Sequence, residues 1–213
     1  MSSLLTLLML VILFAAVATL YTEGMWSNAI RLINVVTAAL LATNYFEPLA
    51  RWLDDMWPAY TYTWDFLALW TLFVALTLIL RVATDQVSRV NVRFLKVADQ
   101  IGSWVLAFWI GWVLVCFTMM TLHTAPLSRN FLFGGFKTGD QERMLLGFAP
   151  DRQWLGFMQK ESLGALCRSA TPEEWKKETY VFDPHADFMP NYATRRAKVE
   201  ATVAKSGGIG VGN

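Results

Sequence analysis

A hydrolase needs a nucleophile beside a base, and the carboxy-terminal part of this chain offers Ser162, in Glu161-Ser162-Leu163-Gly164, and His185, in Asp183-Pro184-His185-Ala186-Asp187. Neither sits in the strand-turn-helix setting that exposes a catalytic serine. No catalytic residue is assigned, and the chain reads as a non-enzyme. Asp183, His185 and Asp187 supply carboxylate and imidazole donors of the kind metals use. Their alternate spacing across a proline is equally natural for an exposed turn, so no metal or other cofactor is assigned. Gly134-Gly135-Phe136-Lys137-Thr138 has the composition of a phosphate loop, but Phe136 separates glycine from lysine and the upstream spacing is wrong. Asn34, Thr37 and Asn44 are polar residues inside an apolar stretch and could line a transport pathway, although bonding between helices uses the same residue types.

The elements that must position these residues belong to a membrane. Of 213 residues 55% are hydrophobic and 16% charged. No charge occurs before Glu23, in 66–80 or in 100–128, and each run approaches the ~20 residues that cross a hydrocarbon core of about 30 Å. The net charge of +1 shows no basic stripe for nucleic acid. Cys116 lies in an apolar run and Cys167 in a polar one, which makes a disulfide improbable and defines no metal site.

Four membrane helices are expected, over about 3–22, 26–46, 63–83 and 100–123. The first lacks an amino-terminal Lys or Arg and is longer than a signal core, so it reads as retained. The second is interrupted by Arg31, Asn34 and Asn44, and either crosses or lies along the interface; crossing is favoured. A loop over 47–62, with Pro48 and Pro58, is bordered by Trp52, Trp57, Tyr60, Tyr62 and Trp64, the aromatic dressing of a bilayer surface. Residues 124–205 form a tail with short helices. One begins at Pro150-Asp151 and carries Trp154, Phe157, Met158 and Leu166 on or near one face. A second begins at the capping box Thr171-Pro172-Glu173-Glu174, and a third covers 192–205. Residues 206–213 are glycine-rich and expected to be disordered. The fold class is thus an all-α membrane protein, four transmembrane helices followed by a small, mainly helical extramembrane tail.

Arg81, Arg89, Arg93 and Lys96 form the densest basic cluster near a membrane segment and mark that loop as cytoplasmic. With four crossings the amino terminus and the tail are then extracytoplasmic. Asp99 reads as the start of the fourth helix, because a carboxylate at the bilayer centre costs on the order of 2.5–3.5 kcal/mol whereas one in the first turn meets a favourable helix dipole. Ser103, Ala107 and Gly111 then recur every four residues as a stripe for close backbone approach. Arg81 and Asp99, at facing ends of consecutive helices, are expected to pair across the interface.

An early apolar helix, a turn containing Gly24, two middle helices and a basic loop leading to an Asp-initiated last helix together resemble the colicin V production protein (CvpA) family. That family's last helix is similar to D-x-x-x-G-x-x-x-G-x-x-x-G. Here Asp99, Ser103, Ala107 and Gly111 hold those places, with Gly102 one residue early. The family's G-x-x-R-E turn is departed from, since this chain reads Gly24-Met25-Trp26-Ser27-Asn28. The resemblance covers roughly residues 1–125. It implies a multi-pass protein of the bacterial inner membrane, a non-enzymatic scaffold or accessory factor linked to toxin production or export and envelope homeostasis. The partners it implies are the lipid bilayer and a membrane or envelope protein, with self-association included. An oligomeric channel or small transporter is the alternative.

Overall fold

The computed structural model describes residues 3–88, 95–127, 147–164, 166–167 and 180–207. Among these it has six α-helices and no strand: α1 (Ser3–Leu20), α2 (Met25–Met56), α3 (Trp64–Val87), α4 (Lys96–Thr124), α5 (Pro150–Ser162) and α6 (Phe188–Gly207). A single 3₁₀ turn, Pro58–Tyr60, joins α2 to α3.

Three of the helices, α2, α3 and α4, are long and apolar enough to cross a membrane. The fourth expected span, α1, is apolar throughout, but its 18 residues extend only about 27 Å at 1.5 Å per residue. The second helix runs ten residues past the expected end at 46, directly through Pro48. Proline removes one backbone donor and crowds the preceding turn, yet Glu47 and Arg51, 3.8 Å apart at i,i+4, continue the helical surface beyond it. The connection to α3 is correspondingly short.

Contacts fix the order of the helices along the bundle. The start of α2 meets the start of α4, where the Met25 amide donates to Asp99, and Trp26 at that same end donates to Ser88 at the close of α3. At the opposite end Phe73 of α3 stacks on Phe117 of α4 with centroids 4.6 Å apart. The core there is aromatic and small-residue in alternation: Ala38, Ala39, Ala42 and Phe46 of α2, Ala68 and Leu69 of α3, Phe117 and Met120 of α4. Alanine at four-residue spacing lets the α2 backbone approach, and the Phe rings fill what it leaves.

The tail shares this core. Trp154, Leu155 and Met158 of α5, with Phe182 and Phe188, are buried against α2, α3 and α4. The expected α5 face therefore holds for Trp154 and Met158, whereas Phe157 points outward. The α6 helix starts four residues before the expected 192 and continues to Gly207, overlapping the segment expected to be disordered. The Thr171 capping box and Gly134-Gly135 lie outside the described residues.

Candidate functional site

The residues singled out on α4 converge on one seam with α1 and α2. At Gly24 the backbone takes φ +87° and ψ 154°, a conformation open almost only to glycine, and this turns the chain from α1 into α2. The first amide of α2, Met25 N–H, donates to Asp99 Oδ1 at 2.9 Å. A helix leaves its first amides without internal partners, so a carboxylate supplied by another helix satisfies a donor and complements the dipole together. One turn further along, Ser103 Oγ donates to the Tyr21 carbonyl at 2.8 Å. Asn28, wholly buried, donates from Nδ2 to the Leu20 carbonyl at 2.8 Å and to Ser103 Oγ at 2.9 Å. Orphan groups at the end of α1 and the start of α2 are thus both bound by side chains of the bundle. Asn28 is the member of this node that the sequence reading missed.

Above the node the small-residue stripe meets α1. Ala107 is fully buried, and a methyl placed on Gly111 would sit 2.9 Å from Leu13 Cδ1, 3.2 Å from Ala16 Cβ and 3.3 Å from the Leu13 carbonyl oxygen. Higher still, Val115 and Met119 pack on Leu5 and Met9. Gly102 serves a different neighbour, since any side chain there would run into the Met25 thioether. Gly111→Ala is expected to cost about 1 kcal/mol through overpacking, read as a lower unfolding midpoint in detergent. A midpoint equal to wild type would remove Gly111 from the seam.

The structure gives Arg81 and Asp99 separate partners in place of the pair expected between them. Arg81 Nε lies 3.9 Å from Asp85 one turn away on its own helix, and Asp99 is turned inward onto Met25. An unfilled helix terminus at hydrogen-bond distance outcompetes a hydrated, long-armed cation at the surface. Of the polar residues inside α2, Asn34 donates to Thr84 Oγ1 at 2.9 Å and Asn44 to the Leu166 carbonyl at 3.0 Å, so both bond to neighbouring segments.

A second polar cluster holds the tail at the far end. His123, Asp151 and Arg196 are 1%, 2% and 4% exposed. His123 Nε2 lies 3.0 Å from Asp151 Oδ2, and Arg196 approaches His123 Nδ1 at 3.4 Å. Guanidinium can only donate, so Nδ1 is the acceptor and Nε2 carries the proton that goes to Asp151. The imidazole thus bridges Arg196 and Asp151. Beside it Arg195 pairs with Asp65 in the first turn of α3, reaches the Thr61 carbonyl and stacks over Tyr62 at 5.4 Å. Tyr192 donates to the same carboxylate at 2.9 Å, and burial together with Asp65 pushes its phenol upward, so it stays a donor. The adjacent arginines of α6 therefore grip α3 and the α4–α5 pair separately. The sequence signal for this clamp was weak: a histidine in the last turn of an apolar helix, and single acidic residues, Asp65 and Asp151, in the first turns of two others.

The other chemical candidates have structural roles. Ser162 Oγ accepts from the Phe182 amide at 3.0 Å and donates to the Gln159 carbonyl. Asp183 Oδ1 accepts from the Asp187 and Phe188 amides and so leads into α6, while its burial pushes the carboxyl upward against those two bonds. Among the described residues no group of three His, Cys, Asp or Glu is placed to hold a metal.

Long apolar helices, tied at one end by helix-terminus bonds and at the other by a buried charge cluster, define a helical integral membrane protein. A family model described as Colicin V production protein matches residues 5–135, and the chain belongs to that family. The match ends before α5 and α6. No curated protein and no solved structure is detectably similar.

Proposed function

We propose that this protein is a non-enzymatic scaffold or accessory factor of the bacterial inner membrane, acting in toxin production or export and in envelope homeostasis. The family's description, Colicin V production protein, supports the toxin-related part of this reading. The observation that carries the scaffold reading is the use made of the family-like positions: Asp99, Ser103 and Gly111 hold α1 and α2 against α4, Gly24 makes the turn between α1 and α2, and Ala107 is fully buried. Residues spent on packing hold a surface in shape for a partner, either an envelope protein or another copy of this chain. In this reading α1 is the fourth crossing, assisted by local thinning of the bilayer around its short length. The end bearing Arg81 and Lys96 is cytoplasmic, and the amino terminus and tail are outside.

The test is deletion of the chromosomal copy in a toxin-exporting host. Secreted toxin should fall, and the wild-type protein should restore it. Restored membrane levels without restored export would overturn the proposal, and so would steady ion flux through reconstituted protein, which belongs to a channel. Orientation is read separately by labelling Ser88→Cys and Ser169→Cys, each in a Cys167→Ser background, in intact cells: only the second should react with an impermeant thiol reagent.

A further inference from the structure

The α5 helix does not stand above the bundle. Asp151 at its start bonds to His123 in the last turn of α4, but Gln153, two residues on, accepts from Trp112 Nε1 at 3.1 Å. Trp112 lies twelve residues before Thr124, about 18 Å down the helix at 1.5 Å per residue. Phe148 meets the same indole edge-on at 6.0 Å. On its inner side Trp154 packs on Phe117 and donates to Thr43 Oγ1 of α2 at 3.1 Å. Counting about 20 residues of hydrocarbon from Asp99 places the far boundary near residue 119, so α5 runs beside the last part of the span.

What α5 turns outward agrees with that depth. Its exposed positions, Gln153, Gly156, Phe157 and Lys160, recur at three- and four-residue spacing, and Leu163 continues the row. Phe148, Phe157 and Leu163 are 59%, 40% and 46% exposed. Phe148 meets Trp112, which follows the exposed Trp104, Phe108 and Trp109 along α4. This surface sets three large apolar side chains, Phe148, Phe157 and Leu163, beside Gln153, Gly156 and a lysine long enough to reach upward, a mixture that suits the boundary between headgroups and acyl chains.

We propose that α5 is embedded in the leaflet at the carboxy-terminal end of α4, with Phe148, Phe157 and Leu163 among the acyl chains and Lys160 extended to the lipid phosphates. The tail is then part of the membrane-bound body, and α6 locks it there through Arg195 and Arg196.

Spin labels test this in the full-length chain. Cys167 is replaced by serine, and nitroxides are attached singly to Phe157→Cys, Leu163→Cys, Trp109→Cys and Lys198→Cys in vesicles of phosphatidylethanolamine and phosphatidylglycerol. Positions 157 and 163 should fall between 109, at the middle of the span, and 198, with collision by oxygen favoured over a water-soluble nickel chelate several-fold more than at 198. Values at 157 and 163 equal to those at 198 would overturn the proposal by placing α5 in water. Low collision rates with both reagents, accompanied by dipolar broadening between labels, would overturn it in favour of a second copy covering that face.

Discussion

Asp151→Ala is expected to destabilise the folded protein by about 3–5 kcal/mol, the cost of removing one partner from a buried charge cluster. With the carboxylate gone, the Arg196 guanidinium stays buried against an imidazole whose Nε2 proton has lost its acceptor. The measurable result is a lowered unfolding midpoint in detergent together with faster proteolysis of the tail, because α5 is held to α4 at this point. Asp151→Asn retains an acceptor for Nε2 and should fall between alanine and wild type. The double variant Asp151→Leu/Arg196→Met removes both charges and should be less damaging than Asp151→Ala, since apolar replacement of a buried pair is often close to neutral. Equal stability of Asp151→Ala and wild type would show that the cluster does not hold the tail.

How much of this was readable in advance follows the physical origin of each feature. Composition and the long uncharged runs are local, and they located α3 and α4 within a few residues of Trp64–Val87 and Lys96–Thr124. The start of α5 at Pro150 was legible because proline at a first helical position is itself a local preference. Pro48 misled for the same kind of reason: as a local breaker it suggests a loop, and the helix through it persists on the contacts of α2 with its neighbours. The four-residue stripe on α4 could be read as a surface for a backbone, but sequence alone does not say whose, and α1 is the partner. Asp99 shows the limit most clearly. Its position in a first turn was legible, whereas its bond goes to the amino end of α2, 74 residues away in the chain. His123, Asp151 and Arg196 are spread over three helices, and nothing in their spacing joins them before the chain is folded.

The α1–α2 turn supplies the second large effect. Gly24→Ala forces an L side chain into the region near φ +87°, at a cost of about 1–3 kcal/mol. There is room for the methyl, whose nearest neighbours would be the Asp99 oxygens at 3.6 and 3.7 Å, so strain and not collision is the cause. Asp99→Ala removes the acceptor of the Met25 amide and is expected to cost about 0.5–2 kcal/mol, as loss of a helix cap does. The two should not add. A turn that relaxes to relieve the alanine at 24 moves Met25 N–H off Asp99, so the second substitution removes a bond already weakened. The double variant should therefore be more stable than the sum of the singles predicts, by a coupling of about 0.5 kcal/mol or more. Strict additivity in detergent unfolding would mean that the Gly24 turn and the Asp99 bond are independent, and that α4 does not set the geometry by which α1 passes into α2.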